Sequence, residues 1–155
     1  MKLLNNFLVI ATLLLLASCS SPKEKNLQNY MVGSWETEYI KIEFLTINKS
    51  DSTSVFEDDF KTPNAGKAQS NYKKDGTFSA WFKQADGTKI NETSGIWKTK
   101  GDSLYVDYPY LGKQVQAWYI IKQTEKGFDG KVIYDWDNDG EFDDTLIMKT
   151  KRILQ

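Results

Sequence analysis

The sequence predicts an all-β protein, a single antiparallel up-and-down β-barrel of about eight strands. Runs of alternating apolar and polar residues, typical of half-buried strands, recur along the chain. Glycine turns such as Asp75-Gly76 and Asp86-Gly87 separate these runs and are typical of hairpins. Aromatic residues make up 14% of the chain and prolines number only three, a composition that favours strands. A β-sandwich is the alternative, since alternation alone is common to both architectures.

Residues 1–18 are predicted to be a signal peptide. Lys2 precedes an apolar stretch, residues 7–16, that is too short to span a bilayer as a mature helix. The stretch leads into Leu16-Ala17-Ser18-Cys19, which resembles the lipobox of bacterial lipoproteins. That resemblance implies cleavage before Cys19 and acyl chains, palmitate among them, that anchor the chain in a membrane. An ordinary secretory signal with a chance cysteine is the alternative.

Residues 19–29 are predicted to be the lipidated cysteine with a flexible polar tether, and residues 30–155 the barrel domain. Ser20 directly after the cysteine resembles outer-membrane sorting, so the expected location is the outer membrane, with the face left open. Residues 29–32 are expected to form a helical turn that plugs one end of the barrel. Without residues 1–18 the chain has 19 basic and 21 acidic residues, a net charge of −2. This balance argues against nucleic acid as a partner.

The first strand begins at Gly33-Ser34-Trp35. Trp35, Thr37 and Tyr39 alternate on one face, and the phase of the alternation then changes at Ile40. Because a phase change turns later side chains to the opposite face, an extra residue is needed to keep the apolar face inward. The pattern therefore predicts a bulge near Tyr39, which would bend the strand as a barrel requires.

Further strands are predicted by shorter alternating runs. They comprise one or two pieces within residues 54–74, followed by residues 78–82, 90–97, 104–108, 115–121, 128–136 and 145–153. Residues 49–68 are the least regular part, polar and acidic, and predict a short strand with a loop at the barrel mouth.

A second Gly-x-Trp, Gly95-Ile96-Trp97, is followed by the turn Gly101-Asp102 and an aliphatic strand. Together with Gly33-Ser34-Trp35 and the lipobox, this arrangement resembles small lipocalin-like bacterial lipoproteins over most of residues 33–153. The resemblance implies an eight-stranded calyx and names no ligand. Lipocalins proper also carry a C-terminal helix, for which this sequence has no pattern.

The chain contains no histidine, which excludes catalytic machinery and zinc sites that depend on that residue. We therefore expect a non-catalytic binding module that holds a small apolar ligand or docks an envelope protein. One alternative is a periplasmic inhibitor of a hydrolase, acting through residues 49–68 or 108–113. A second alternative is a hydrolase that uses a pair of carboxylates.

An acidic stretch near the C-terminus matches much of a calcium-binding loop. Asp135, Asp137, Asp139 and Gly140 fit positions 1, 3, 5 and 6 of such a loop. Position 12 is Leu146 instead of glutamate, so Asp144 would have to reach back toward the ion. The candidate calcium ligands are Asp135, Asp137, Asp139, Glu141, Asp143 and Asp144. The alternative is a plain hairpin turn whose paired strands end at Trp136 and begin again at Phe142.

Aromatic residues are the candidates for lining a ligand pocket. They are Trp35, Trp81, Tyr105, Tyr108, Tyr110, Trp118, Tyr119 and Trp136. An eight-stranded barrel is just wide enough either to be filled by such side chains or to hold one small ligand. Both interpretations stay open at this point.

Overall fold

The computed structural model describes residues 26–47, 49–50 and 52–154. The predicted signal peptide, the candidate lipid acceptor Cys19 and most of the predicted tether lie outside these residues. Within the described ranges, no helix is long and apolar enough to cross a membrane.

The described residues form one short helix and nine strands. Helix α1 spans Leu27–Met31. The strands are β1 (Gly33–Phe44), β2 (Ser54–Asp58), β3 (Lys67–Tyr72), β4 (Thr77–Lys83), β5 (Lys89–Lys100), β6 (Ser103–Tyr110), β7 (Lys113–Gln123), β8 (Gly127–Tyr134) and β9 (Asp144–Arg152). Both of the short strands expected within residues 54–74 are present, as β2 and β3.

The strands close into an eight-stranded antiparallel barrel, which confirms the predicted fold class. From β3 to β9 each strand pairs with the next along the chain, and β1 pairs with β3 on one edge and β9 on the other. Because closure removes the sheet edges, the barrel is favoured over a sandwich with open edges. Strand β2 is additional: it pairs with residues 40–44 of β1, beyond the part of β1 that pairs with β3.

The bulge predicted near Tyr39 in the first strand is confirmed. Opposite β9, Thr37 pairs with Thr150 and Tyr39 pairs with Lys149, so β1 advances two residues where β9 advances one. The extra residue restores the inward facing of the apolar side chains after the phase change. Trp35 therefore lies in the core before the bulge, and Ile40 and Ile42 pack against the core after it.

Helix α1 closes one end of the barrel. It begins at Leu27, earlier than the helical turn expected over residues 29–32 and inside the segment expected to be a tether. Leu27 and Met31 are both buried among the core side chains. The Trp35 indole nitrogen donates a hydrogen bond of 2.8 Å to the backbone carbonyl of Met31, which fixes the helix to the first strand.

Arg152, the last residue of β9, connects β9 to the first strand and to the end of helix α1 at this closed end. Its guanidinium lies 4.0 Å from the centroid of the Trp35 ring and donates a 2.9 Å hydrogen bond to the carbonyl of Val32. Gly33 has φ +130°, and a Cβ atom built there would lie 2.6 Å from Nη1 of Arg152. Glycine at the start of the Gly-x-Trp motif thus leaves room for the cation that covers the tryptophan.

The opposite end of the barrel carries the loops after β4, β6 and β8. Since the strands run up and down, these loops share one end, while α1 and the loops after β3, β5 and β7 share the other. The acidic segment of residues 135–143 connects β8 to β9 and therefore lies at the end opposite α1.

Candidate functional site

The barrel contains a cavity of about 340 Å³. Its wall includes Phe78, Leu104 and Val106 from the buried core, and it reaches Asn91 and Tyr110, which are exposed at the end opposite α1. The cavity therefore opens at that end, the open end of the barrel. Its volume falls at the lower end of the range for pockets that bind small molecules.

Every described residue that lines the cavity is uncharged, and most are apolar or aromatic. Polar atoms are supplied mainly by hydroxyl groups, such as those of Tyr108 and Thr93. A charged group transferred into such surroundings would lose its hydration without gaining an ionic partner. The lining thus suits an uncharged molecule with a largely apolar body.

Three tyrosines, Tyr72, Tyr108 and Tyr119, are the polar residues of the cavity that are most strongly shielded from water. Burial raises the pKa of Tyr72 to about 12 and also raises the pKa of Tyr108 and of Tyr119. All three hydroxyls therefore stay neutral across the physiological range. They can donate hydrogen bonds to a neutral ligand and accept hydrogen bonds from it.

The structure places the sequence-predicted pocket residues in three different environments. Those that line the cavity with inward-facing side chains are Tyr108, Tyr110, Tyr119 and Trp136. Trp81 borders the cavity, but its indole lies on the outer face, where it donates to Gln69 and is covered by Lys89. Trp35 is buried in the closed end, against α1.

Tyr105 and Trp118 lie on the outer wall, where their ring centroids are 5.0 Å apart and Lys98 covers the Tyr105 ring. They do not line the cavity, because their strand neighbours Leu104 and Tyr119 face inward.

Several cavity residues were not singled out from the sequence. Tyr72 at the end of β3, and Ile40 and Met148 on the paired strands β1 and β9, are examples. The signal that points to them is the alternation itself, once the bulge in β1 assigns Ile40 to the inner face. Aromatic type alone was a poorer guide than the phase of the strand.

The acidic segment is a nine-residue loop and not a tight hairpin. Tyr134 pairs with Asp144 as the last ladder pair of β8 and β9, so Trp136 and Phe142 both lie in the loop, outside the ladder. The expectation that Trp136 and Phe142 flank a plain turn is therefore wrong. Nine residues are more than a tight hairpin turn requires. In this longer loop, several carboxylates lie close together.

Three of the predicted metal ligands come together in this loop. One carboxylate oxygen from each of Asp135, Asp137 and Asp144 lies within 4.8 Å of the other two. Ca²⁺ binds oxygen at 2.3–2.6 Å, so opposite oxygens of a calcium shell are roughly 4.6–5.2 Å apart. The group could hold a metal ion of that size.

The loop also concentrates polar atoms that have no hydrogen-bond partner. In the part of the chain that the structure describes, all buried side-chain polar atoms without a partner belong to residues 135–144. They are Asp135 Oδ1, Trp136 Nε1, Asp137 Oδ2, Asp143 Oδ1 and Asp144 Oδ1. Native folds satisfy nearly all such groups, and an ion is one of the usual reasons when they are left unpaired.

Asp144 is the best defined of these carboxylates. Its residue surface is only 1% exposed. Its Oδ2 accepts hydrogen bonds from the backbone N–H groups of Trp136, at 2.7 Å, and Asp137, at 3.2 Å, while Oδ1 has no partner. Burial raises the pKa of the Asp144 carboxyl. A buried carboxylate with one oxygen unpaired is an anion that a cation would stabilise.

Compared with protein-family models, curated proteins and solved structures, the chain matches none of them.

The other predicted ligands are turned toward the end of the first strand. Thr46 Oγ1 lies 3.1 Å from a Glu141 carboxylate oxygen and 3.2 Å from Asp143 Oδ2. The backbone N–H of Lys49 donates to Asp139 Oδ2 at 3.0 Å. These contacts attach the outer part of the loop to Thr46 and Lys49. Asp139 connects the two groups, because its backbone N–H also donates to Asp137 Oδ1 at 3.1 Å. Asp143 Oδ1 is buried and unpaired.

Proposed function

We propose that this protein is a lipid-anchored binding module of the cell envelope that holds a small, uncharged, apolar ligand in its barrel. The observation that carries the proposal is the cavity of about 340 Å³, open at one end and lined by uncharged residues. A barrel whose interior were only a core would be filled by its own side chains. The proposed module is non-catalytic, since the described residues of the cavity wall offer neither a carboxylate pair nor a cationic group for acid–base chemistry.

The anchor is proposed from the sequence. Cys19 follows a lipobox-like tetrapeptide and would carry the acyl chains, and Ser20 favours the outer membrane as the destination. With α1 at Leu27, only residues 20–26 separate the proposed anchor from the closed end of the barrel. The closed end would then face the membrane, and the open end would face away from it.

The experiment uses two dyes with the same aromatic body and different charge. N-phenyl-1-naphthylamine is neutral, and 8-anilinonaphthalene-1-sulfonate carries a sulfonate. The uncharged lining predicts that the neutral dye binds the protein at least tenfold more tightly, because the sulfonate would have to be desolvated without a partner. Equal affinities, or tighter binding of the sulfonate, would contradict a neutral cavity.

A pair of variants locates the bound dye. Ala80 lines the cavity, so Ala80→Phe fills part of it and should weaken dye binding at least tenfold. Ser94 is exposed on the outer face of β5, and Ser94→Phe adds a similar volume outside the cavity. The control should bind the dye as the wild type does. If both variants weaken binding alike, the dye does not occupy the barrel.

The loop of residues 135–144 is proposed to bind Ca²⁺ through Asp135, Asp137 and Asp144, with Asp143 as a fourth ligand. Four aspartate oxygens, buried and unpaired, are hard donors of the kind that Ca²⁺ prefers. Tb³⁺ is a suitable probe, because Trp136 lies within the loop and can sensitise its luminescence. Sensitised emission should appear in the wild type, disappear on adding excess Ca²⁺, and be lost in Asp144→Ala.

A second candidate function is docking of a protein, as in the expected alternative of a hydrolase inhibitor. It is favoured by exposed apolar side chains on the two segments predicted for that role. Val55 and Phe56 of β2 are 57% and 48% exposed, and Leu111 in the turn after β6 is 83% exposed. An inhibitor would need these surfaces and not the cavity, so Ala80→Phe should leave its activity unchanged.

A further inference from the structure

Trp136 belongs to both candidate sites. It lies between Asp135 and Asp137, and its backbone N–H donates to Asp144 Oδ2 at 2.7 Å. Its side chain forms part of the cavity wall near the open end. The three carboxylates that would hold the cation are therefore the immediate covalent and hydrogen-bonded neighbours of a cavity residue.

Asp144 provides a second connection between the loop and the cavity. It is the first residue of β9, and Leu146, two positions further on the same face of the strand, lines the cavity. Because Asp144 also pairs with Tyr134 in the ladder, its backbone is held in place. The other side of the site, residues 135–137, lies outside the ladder and is held to Asp144 by hydrogen bonds.

Repulsion between the carboxylates of the site favours displacement of residues 135–137 when no cation is bound. Three carboxylates within 4.8 Å of one another repel when they are all ionised, and the repulsion is strong where water is excluded. The outer loop is tied to Thr46 and Lys49 through Asp139, so relief comes most readily from displacement of residues 135–137. Such a displacement carries Trp136 away from the cavity wall.

We infer that a divalent cation bound by Asp135, Asp137 and Asp144 regulates ligand binding in the barrel by holding Trp136 against the cavity. The inference rests on the proposed function, since it requires a ligand in the cavity. The buried and unpaired Oδ1 of Asp144, on a residue only 1% exposed, is the observation that points to a cation at this place. The cation and the ligand then stabilise the same arrangement of the loop, so each increases the affinity for the other.

The test measures both affinities in a thermodynamic cycle. N-phenyl-1-naphthylamine is titrated by fluorescence into the protein in excess Ca²⁺ and in excess chelator, and Ca²⁺ is titrated by calorimetry with and without saturating dye. The dye should bind at least fivefold more tightly with Ca²⁺, the lower end of ordinary coupling between sites. Ca²⁺ affinity must rise by the same factor in the presence of the dye, because coupling is reciprocal.

Two aromatic variants separate coupling from a general loss of cavity wall. Trp136→Leu keeps the backbone N–H and the three carboxylates, so Ca²⁺ should still bind while its effect on dye affinity falls below twofold. Phe82 lines the same cavity but is part of β4, away from the loop. Phe82→Leu should weaken dye binding and leave the fivefold effect of Ca²⁺ intact.

The outcomes distinguish this inference from the function on which it rests. If the dye binds equally with Ca²⁺ and with chelator, the coupling is wrong and the binding function stands. If the dye binds under neither condition, the proposed function fails, and the inference fails with it. If calorimetry detects no Ca²⁺ binding, the cation site and the coupling are both overturned, whereas dye binding still supports the barrel as a ligand site.

Discussion

Replacing Asp144 by asparagine gives the sharpest prediction for the acidic loop. Asparagine has nearly the same shape, and its side-chain oxygen can still accept the hydrogen bonds from Trp136 and Asp137 that Oδ2 accepts now. The amide nitrogen of asparagine would take the place of Oδ1 and would face Asp135 and Asp137 as a hydrogen-bond donor. The Oδ1 of aspartate faces the same two carboxylates as a like charge. We therefore expect Asp144→Asn to be more stable than the wild type in chelator and insensitive to Ca²⁺.

The magnitudes follow from the separation of the carboxylates and from linkage. Two unit charges 4.8 Å apart repel by about 0.9 kcal/mol even at the dielectric constant of water. Removing that repulsion should raise the melting temperature by about 4 °C, on a scale of roughly 4 °C per kcal/mol for a domain of this size. Ca²⁺ at ten times its dissociation constant should stabilise the wild type by about 1.4 kcal/mol, or about 6 °C on the same scale.

The assay is thermal unfolding of both proteins in excess Ca²⁺ and in chelator. The order of the two melting temperatures should reverse: the variant melts higher in chelator, and the wild type melts higher in Ca²⁺. Asp75→Asn is the matched control, because Asp75 lies in the β3–β4 turn at the opposite end of the barrel and also accepts a backbone hydrogen bond. If the wild type melts at the same temperature under both conditions, the loop binds no Ca²⁺ and the reasoning from unpaired oxygens is refuted.

Three further predictions concern the closed end, the cavity and the anchor. Arg152→Met should lower the free energy of unfolding in urea by about 2–4 kcal/mol, because it removes a cation 4.0 Å from the Trp35 ring centroid and two charged hydrogen bonds to backbone carbonyls. The neighbouring Lys151→Met loses only partly exposed ion pairs and should cost less than about 1 kcal/mol; equal losses would contradict the role of Arg152. Burial raises the pKa of Tyr72 to about 12, above the unfolded value of about 10, so its contribution to stability is present below pH 10 and is lost as the pH rises from 10 to 12. In urea titrations over that range, Tyr72→Phe should reduce the decline by about 1.4 kcal/mol per pH unit, and an unchanged slope would show that Tyr72 is not shielded. Cys19→Ala should abolish incorporation of labelled palmitate and release the protein from the membrane fraction, whereas continued labelling would rule out the proposed anchor.

The barrel could be predicted from the sequence because local patterns determine it. The strands alternate, the hairpin turns from β3 to β8 are short, and the change of phase after Tyr39 indicated the bulge that the register of β1 and β9 contains. From β3 to β9, strands that are neighbours in sequence are also neighbours in space, and closure then needs only the long-range pairing of β1 with β9. The extra pairing of β2 with β1 was not indicated, since residues 54–58 lie in the least regular part of the chain.

The pocket was predicted less well, for a reason visible in β7. Trp118 and Tyr119 are consecutive residues of one strand and must point to opposite faces, so they could not both line a cavity. Tyr119 faces inward and Trp118 outward. Choosing candidates by aromatic type, without the phase of the strand, placed residues of the outer wall in the pocket.

The acidic loop was predicted from its ligand pattern but not from its shape. The spacing of the aspartates indicated a cation site. Because position 12 of the calcium-loop pattern is Leu146 and not glutamate, Asp144 was needed as a ligand, and it does lie close to Asp135 and Asp137. Whether the segment was a tight turn or an open loop depended on the register of β8 and β9, which pairs Tyr134 with Asp144. Burial of the unpaired oxygens could be seen only once the chain was folded.

The central claim is that the barrel holds a small molecule, and native mass spectrometry tests it most directly. Full-length protein would be extracted from its own membrane in mild detergent and weighed without denaturation, alongside the Ala80→Phe variant. The wild type should carry a non-covalent small molecule of neutral, apolar character that is released on collisional activation, and the variant should carry little or none. A wild-type mass equal to the acylated polypeptide alone, or a stoichiometric protein partner with nothing in the barrel, would contradict the claim.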